Sequence, residues 1–226
     1  MKKNVIISWS SGKDSTLTLE RLVESDEYHV VGLYTTFVRD EVPFQATPIE
    51  VLDLQSELLG LPLIKIELPE VFPSNEIYQS SIVNALQKSD LRIDAVAFGD
   101  MFRNGIAEYR KSYIEPAGWE CVFPLMGQSS TDLAMEIIQR GIQTLVVTVD
   151  GQSLTKRYCG QWYDRAFLES LPESADPCGE NGEFHTLVTE TASFNGKIAL
   201  TLTHIETGER FSYQRYIAKR LPKESF

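Results

Sequence analysis

The chain is poor in the residues that build disulfide frameworks and metal centres. Its 226 residues include three cysteines and three histidines. The cysteines, Cys121, Cys159 and Cys178, are widely spaced and form no Cys-x-x-Cys pair. An odd number of dispersed cysteines is typical of reduced thiols, and structural zinc sites need closely spaced ligand pairs. The sequence therefore argues against a disulfide scaffold and against a zinc protein.

Long apolar runs and an excess of positive charge are also missing. No apolar run is long enough to span a bilayer or to act as a signal peptide, so we expect a cytoplasmic protein without a membrane partner. Lys and Arg number 21 against 32 Asp and Glu, which gives a formal net charge of −11. This balance disfavours a nucleic-acid partner, because binding to phosphate backbones needs basic surface. With 42% hydrophobic residues, the chain suits one large or two small globular domains.

The most informative segment present is Ser-Ser-Gly-Lys-Asp-Ser, directly after the apolar run Val5-Ile6-Ile7 and before a helical pattern. A turn between a buried strand and a helix offers unpaired backbone N–H groups and the positive end of the helix dipole. Hydroxyl donors, a glycine and a mobile lysine complete an anion-binding loop. The segment predicts ATP as ligand, with the phosphates held by Ser10, Ser11, Gly12, Lys13, Asp14 and Ser15.

This loop is not that of kinases and GTPases, because Ile7 stands where that pattern needs glycine and Asp14 where it needs Ser or Thr. It resembles the Ser-Gly-Gly-Lys-Asp-Ser loop of enzymes that split ATP into AMP and pyrophosphate, with Ser11 in place of the first glycine. We expect Lys13 to be catalytic, balancing charge at the α-phosphate, and to contribute little to the core. Asp14 either helps to hold Mg²⁺ or caps its own loop.

Strand and helix patterns alternate along the first two thirds of the chain. Short apolar runs predict strands at 30–34, 63–68, 93–98 and 144–149, and amphipathic periodicity predicts intervening helices. One helix is expected to have Thr47 as its N-cap, Pro48 as its first residue and Gly60 at its end. The alternation predicts an α/β fold, a Rossmann-like parallel sheet with helices on both faces. We expect this domain at 1–150 and a smaller C-terminal α+β lobe at 151–226.

Two segments are expected to meet at one edge of this sheet. The Ser10–Ser15 loop and the Gly99-Asp100 pair both follow predicted strands, and ligands of parallel sheets bind beyond the carboxyl ends of the strands. Gly99 would let adenosine pack close to a strand end, and Asp100 would contact ribose or metal. Both residues are therefore predicted to bind the nucleotide.

A second segment, Asp176–Thr186, reads Asp-Pro-Cys-Gly-Glu-Asn-Gly-Glu-Phe-His-Thr. It is rich in acids and glycines around a single aromatic residue, which is typical of a functional loop, although a solvated turn has a similar composition. The Ser10–Ser15 loop and this acidic segment together resemble the diphthine–ammonia ligase family. The resemblance extends to Gly99-Asp100, Glu108-Tyr109-Arg110 and Phe123-Pro124-Leu125. The Gly99–Arg110 stretch looks like a bacterial subgroup of that family.

The resemblance implies an ATP-binding domain of the adenine-nucleotide α-hydrolase type and a C-terminal substrate-binding lobe. It implies adenylation of a carboxylate followed by amidation with ammonia, with Mg²⁺–ATP and an acceptor that is either free or carried on a protein. In archaeal and eukaryotic members the acceptor is diphthine on elongation factor 2, and for this chain its identity stays open, as does homo-oligomer formation. Glu183 and His185 are candidates for catalysis, and the expected substrate-binding residues are Glu180, Asn181, Glu183 and His185.

Two other functions are left open. An adenylating transferase that acts on another acceptor, such as a modified tRNA base, would use the same loop. A nucleotide-binding sensor without turnover would need only the loop. The sequence has no glutaminase-type catalytic cysteine in a matching context, so free ammonia or another protein would have to supply nitrogen.

Overall fold

The computed structural model describes residues 1–102 and 104–223. Arg103, which belongs to the Gly99–Arg110 stretch, and residues 224–226, at the end of the predicted second lobe, lie outside the described residues. In chain order the elements are β1 (Lys3–Ser8), α1 (Lys13–Glu24), β2 (Tyr28–Phe37), β3 (Glu41–Val42), β4 (Thr47–Pro48), α2 (Ile49–Leu59), β5 (Leu63–Glu67), α3 (Asn75–Lys88), β6 (Ala95–Ala97), α4 (Ile106–Ile114), β7 (Glu120–Val122), α5 (Ser130–Gln139), β8 (Gln143–Asp150), α6 (Arg165–Ser170), β9 (Phe184–Glu190), β10 (Lys197–Thr207) and β11 (Phe211–Leu221).

Five strands form a parallel sheet in the order β5-β2-β1-β6-β7. Alternate side chains of β1 face opposite layers, as strand geometry requires. Val5 and Ile7 pack in one cluster with Leu19 of α1 and Leu52 of α2. Ile6 packs in another with residues of α3 and α4. The predicted Rossmann-like sheet with helices on both faces is therefore confirmed.

The strand order places a ligand crevice between β1 and β6. Counted among the parallel strands alone, the order is 3-2-1-4-5, and it reverses direction between β1 and β6. At such a switch point the connections leave on opposite faces, which opens a crevice at the carboxyl ends of the two strands. Ser8 ends β1 and Ala97 ends β6. The Ser10–Ser15 segment and Gly99-Asp100 therefore flank the same crevice.

The second sheet is antiparallel, in the order β10-β11-β8-β9. We expected strand 144–149 to extend the parallel sheet, and that was wrong, because β8 pairs with β9 and β11 instead. A buried cluster joins Leu17 of α1 and Leu58 of α2 to Leu145 and Val188 of this sheet. The lobes thus share one apolar core, and a domain division after residue 150 stays a prediction.

Local sequence signals account for the start of α5 and the end of α2, but not for the start of α2. Ser129 caps α5, its hydroxyl accepting from Asp132 N at 3.3 Å, and Gly60 closes α2 at φ 65°. The prediction that Thr47 caps α2 was wrong. Thr47 and Pro48 form the short strand β4, and the helix begins at Ile49. Across residues 1–102 and 104–223, no helix has the length and apolarity needed to cross a membrane.

Candidate active site

The Ser10–Ser15 segment, predicted to bind phosphate and called the phosphate loop below, runs from the end of β1 into the first turn of α1. Trp9–Gly12 form the loop, and Lys13, Asp14 and Ser15 already belong to the helix. Gly12 is the N-cap and supplies no side chain to cap the helix, while Lys13 N donates to Thr186 Oγ1 at 3.3 Å. A helix N-terminus combines amide donors with a partial positive charge. This geometry suits an anion such as phosphate.

Ser11 holds the turn in an unusual backbone conformation. Its φ is 71°, in the left-handed region that glycine adopts more readily. The Ser11 carbonyl accepts hydrogen bonds from Gln55 Nε2 at 3.1 Å and from Val188 N at 3.0 Å. The loop is therefore fastened both to α2 and to the second sheet.

The two serines that flank the turn face each other. Ser10 Oγ lies 3.3 Å from Ser15 Oγ, and Ser15 Oγ also donates to Gly12 O at 3.0 Å. The Ser10 and Ser15 hydroxyls are thus gathered at the start of the helix, whereas the buried hydroxyl of Ser11 donates to Thr47 Oγ1 at 3.3 Å.

Two glycines permit close backbone approach at this point. A methyl group on Gly12 would lie 3.1 Å from Thr186 O and 3.2 Å from Gln45 Nε2. One on Gly99 would lie 3.0 Å from the carbonyl carbon of Asp14. Since such contacts are tighter than van der Waals packing allows, only glycine fits without displacement. The predicted meeting of Gly99 with the phosphate loop is confirmed.

Lys13 is buried inside the site, with 2% of its side chain exposed. Its Nζ donates to both carboxylate oxygens of Asp14, each at 2.9 Å, and to the Cys178 carbonyl. The rings of Tyr163 and Phe184 lie 5.7 and 5.6 Å from Nζ. The expectation that this lysine contributes little to the core was wrong. Burial alone would lower the pKa of Lys13, but the Asp14 carboxylate holds it above its usual value.

Asp100, which follows strand β6, is held by a partly buried arginine. Arg110 Nε donates to Asp100 Oδ2 at 3.2 Å, and Nη1 donates to Tyr78 Oη at 3.2 Å and to Tyr113 Oη at 3.3 Å. Burial opposes the charge of Arg110, but Asp100 and the tyrosines raise its pKa well above the ordinary value. Asp100 therefore presents a fixed carboxylate at the crevice.

Glu183 fixes the conformation of the acidic segment, Asp176–Thr186, by hydrogen bonds to residues of that segment. It is buried, and Oε1 accepts from Asp176 N at 2.9 Å and from Asn181 Nδ2 at 3.0 Å. Oε2 accepts from Asn181 N at 3.0 Å. A carboxylate that accepts three N–H bonds fixes a loop strongly. The structure thus places Glu183 and Asn181 in the frame of the segment, with their polar groups turned toward each other.

Glu180 and His185 border the space above Lys13. A small cavity of about 170 Å³, here called the inner cavity, has both in its wall; its lining is Lys13, Asp14, Gln45, Cys178, Gly179, Glu180, Gly182, Phe184, His185 and Thr186. His185 and Thr186 lie in strand β9 and not in a loop, contrary to our reading of the segment. The acidic segment and the phosphate loop therefore line one cavity.

Burial shifts the titration of both residues. Burial, followed by the negative charge of Asp14, raises the pKa of Glu180 from 4.5 to about 7. Burial, followed by the positive charge of Lys13, lowers the pKa of His185 from 6.5 to about 4. At neutral pH, His185 is therefore uncharged and Glu180 titrates, which are the states that a proton acceptor needs.

Two larger spaces adjoin the inner cavity. A groove of about 1110 Å³, the outer groove, shares Gly182 and His185 with it and is walled by Phe44, Phe72 and Tyr213. A side cavity of about 440 Å³ shares Glu180 and contains Asp100 and Tyr109. The inner cavity is therefore bordered by two larger spaces, with His185 on one side and Glu180 on the other.

A metal centre built by protein ligands alone is not found among the described residues. No group of three or more His, Cys, Asp or Glu side chains there is placed to hold an ion. Mg²⁺ in nucleotide sites commonly uses one or two carboxylates together with the phosphates. The Asp14 carboxylate, 26% exposed beside Lys13, fits that limited role.

Several residues of the site escaped sequence reasoning. Gln45 and Gln55 lie in ordinary polar contexts, and Tyr163 belongs to no motif. Arg110 belongs to the Glu108-Tyr109-Arg110 motif, but that motif predicted no role for it beside Asp100. Their positions follow from the packing of distant segments, as when Gln55 Oε1 accepts from Trp9 Nε1 at 2.8 Å. Thr186 is the last residue of the acidic segment, and its hydroxyl accepts from Lys13 N at 3.3 Å. Its position in that segment was the sequence signal that could have identified it.

Known proteins resemble the chain along most of its length. Residues 1–121 match the model described as "Diphthamide synthase N-terminal domain", and residues 129–219 match "Diphthamide synthase C-terminal domain". The diphthine–ammonia ligase of Schizosaccharomyces pombe is 21% identical over 218 residues, which cover 85% of this chain and 35% of that protein. The chain thus spans about a third of the length of this relative.

Among solved structures, the U34-tRNA thiolase NcsA from Methanococcus maripaludis superposes with a TM-score of 0.38 and 15% sequence identity. The superposition covers 61% of this chain and 56% of the thiolase. The two domain models match adjoining segments in the same order as the two lobes of the structure. The chain belongs to the diphthamide synthase family.

Proposed function

We propose that this chain is an ATP-dependent ligase that adenylates a carboxylate, with release of pyrophosphate, and then amidates it with ammonia. The observation that carries the proposal is the inner cavity, where Lys13 of the phosphate loop meets Glu180 and His185 of the acidic segment. The family and the name of the Schizosaccharomyces pombe relative support amide ligation.

The first step uses the positive end of α1. The acceptor carboxylate attacks the α-phosphorus of ATP, the bond to the bridging oxygen of the β-phosphate breaks, and pyrophosphate leaves. Lys13 and the helix N-terminus stabilise the charge that develops on the phosphates. Mg²⁺ would neutralise phosphate charge, with Asp14 as its carboxylate ligand. Gly99 and Asp100 would receive the nucleoside at the switch point of the sheet.

The second step needs a group that takes a proton from the nitrogen nucleophile. Ammonia attacks the acyl carbon, the carbon–oxygen bond to AMP breaks, and AMP leaves with the electron pair. Glu180 and neutral His185 are the proton acceptors that we assign to this step. Glu183 has both oxygens engaged within the segment, so we assign it to positioning Glu180 and not to proton transfer.

The outer groove is our candidate for the acceptor. It opens at His185, and a volume of about 1110 Å³ is ample for a side chain and its neighbours, since small-molecule sites range from roughly 300 to 1,000 Å³. The acceptor carboxylate would then enter from the groove while the nucleotide enters from the side cavity. The two substrates would meet above Lys13.

The test measures the nucleotide products of ATP turnover. The purified protein is incubated with ATP, Mg²⁺ and ammonium chloride, with and without size-separated fractions of cell extract. We expect AMP and pyrophosphate in equal amounts, in the presence of a fraction that holds the acceptor, and incorporation of labelled ammonium into that fraction. ADP as the sole product would refute the proposal. Stimulation by tRNA without ammonium incorporation would favour a transferase, and ATP binding without turnover would favour a sensor.

A further inference from the structure

A glutamine lies on the buried face of α2, where packing alone would favour an apolar residue. The other buried residues of this helix, at helical spacing, are Val51, Leu52 and Leu58. Gln55 lies on the same face and is 0% exposed. A buried amide is costly unless it is hydrogen-bonded, whereas leucine or methionine would fill a similar volume without that requirement. The amide group of Gln55 must therefore be explained by what it contacts.

The Gln55 amide satisfies polar groups from two distant parts of the chain. Oε1 accepts from Trp9 Nε1 at 2.8 Å, and Nε2 donates to Ser11 O at 3.1 Å and to Val188 O at 2.8 Å. Trp9 and Ser11 lie between β1 and α1, and Val188 belongs to β9. The indole N–H can only donate and the two carbonyls can only accept, so one orientation of the amide meets all three. A carboxylate would lack the two donors, and an aliphatic side chain would offer none of the three bonds.

One of these contacts falls on the strained residue of the phosphate loop. Ser11 has φ 71°, a left-handed conformation that is unfavourable for a residue with a Cβ atom. Because Ser11 directly precedes Gly12, the N-cap of α1, its conformation sets the direction in which the first amides of the helix point. Gln55 Nε2 and Val188 N both donate to the Ser11 carbonyl. Relaxation of the turn would therefore cost two hydrogen bonds.

The same contacts set the phosphate loop against strand β9. Val188 both donates to Ser11 O and accepts from Gln55 Nε2. Two residues earlier in the strand, Thr186 Oγ1 accepts from Lys13 N at 3.3 Å. The strand also carries His185, which lines the inner cavity. Gln55 thus helps to fix the start of α1 relative to the residues of the second lobe that border the cavity.

We infer that Gln55 is a positioning residue for ATP, whose amide holds Ser11 in the left-handed conformation and so directs the start of α1 at the phosphates. This inference rests on the proposed function. Gln55 is not among the described residues that line the inner cavity, the outer groove or the side cavity. It therefore acts through the phosphate loop and not by touching the nucleotide.

The test measures the dissociation constant of Mg²⁺–ATP by calorimetric titration, at a temperature where every variant is folded. Gln55→Met keeps the volume of the side chain and removes its hydrogen bonds. It should weaken ATP binding by about tenfold or more, because unpaired polar groups are left behind the turn and the turn relaxes.

The control is a variant that loses stability elsewhere in the core. Ile82 is 0% exposed on α3 and packs in the cluster on the other face of the parallel sheet. Ile82→Ala should unfold at lower urea concentration than the wild type, because it leaves a cavity. It should bind ATP within about twofold of the wild type, since the altered site is separate from the loop.

A second substitution distinguishes positioning from a general loss of packing. Glycine adopts the left-handed conformation without strain, so a turn with Ser11→Gly no longer needs the Gln55 amide. Ser11→Gly should therefore improve the ATP affinity of the Gln55→Met protein by about fivefold relative to its effect in the wild type. The loss of the Ser11 hydroxyl is common to both backgrounds and cancels in this comparison.

Trp9→Phe takes the place of Gln55→Met in this comparison if that variant does not fold. It removes the N–H that orients the amide and leaves both Gln55 donors in place, so the loss of ATP affinity should be smaller, about threefold. Ser11→Gly should again reverse the loss.

The outcomes separate this inference from the proposed function. It is overturned if Gln55→Met binds ATP as tightly as the wild type, or if Ser11→Gly acts equally in both backgrounds, and either result leaves the ligase proposal standing. The expected affinities without AMP formation in any fraction of cell extract would refute the ligase alone. A wild-type protein that binds no ATP would refute both.

Discussion

Gly99→Ala tests the contact between strand β6 and the phosphate loop. The added methyl would lie 3.0 Å from the carbonyl carbon of Asp14, 3.1 Å from its oxygen and 3.2 Å from Ser15 N. All three atoms belong to the backbone of α1, so no side chain can rotate away. Restoring an ordinary separation of about 3.5 Å requires the helix start or the strand end to move by about 0.5 Å.

The expected loss of stability is about 1–3 kcal/mol, the usual effect of inserting a methyl group into a packed site. Urea unfolding measures it. Because about 1 Å of misplacement can lower a catalytic rate by roughly 10²-fold, a shift of half that size should slow AMP formation by about tenfold. Gly208→Ala is the matched control, since its methyl meets the nearest atom, Phe211 O, at 3.4 Å. That variant should stay within about 0.5 kcal/mol of the wild type at full rate.

The two readouts have separate meanings. A Gly99→Ala protein with wild-type stability would show that the strand end does not abut the helix start. A destabilised variant with an unchanged rate of AMP formation would show that this end of β6 has no part in holding ATP.

Four further predictions concern the titratable side chains of the site. Lys13→Met should abolish AMP formation and also lower the unfolding free energy by about 3–5 kcal/mol, because it leaves the Asp14 carboxylate without its partner; a rate loss with full stability in urea would contradict this. Because the pKa of Glu180 is raised from 4.5 to about 7, the folded protein binds the extra proton, and wild-type stability should fall with rising pH across that window relative to Glu180→Gln. The pKa of His185 is lowered from 6.5 to about 4, so the unfolded chain binds the proton more readily than the folded chain. The contribution of His185 to stability is therefore complete above pH 6.5 and is lost on acidification toward pH 4. Urea titrations of His185→Asn should lack that loss, and parallel wild-type and variant curves would refute the assignment. Glu183→Gln should cost about 1–3 kcal/mol, since an amide nitrogen would face the Asn181 N–H, and a fully stable but inactive variant would instead assign Glu183 to catalysis.

The parallel sheet could be predicted because its signals are local. Short apolar runs, helical periodicity and the glycine after α2 all act within one element. The sheet to which β8 belongs could not be predicted in this way, since an apolar strand pairs equally well in either sheet. Its partners β9 and β11 follow it in the chain, and β11 begins at Phe211, about sixty residues after β8 ends.

The phosphate loop was predictable for a similar reason, since strand, turn and helix signals coincide within Ser10–Ser15. The burial of Lys13 was not, because the residues that cover it, Cys178 and Phe184, come from the far end of the chain. Gln45 was missed because a single glutamine in a polar turn carries no pattern. Its place in the lining of the cavity depends on a distant contact, since its carbonyl accepts from Thr148 Oγ1 at 3.0 Å.

The hydrogen bond from Val188 N to the Ser11 carbonyl, together with the apolar core shared by Leu17, Leu58 and Leu145, has a consequence for how the protein can be dissected. The two family segments meet between residues 121 and 129, which invites expression of each half alone. Neither fragment would contain a complete inner cavity, and each would expose the apolar surface that the other covers. The halves should therefore aggregate when made separately and regain ATP turnover only when co-expressed, as complementing fragments of one folding unit.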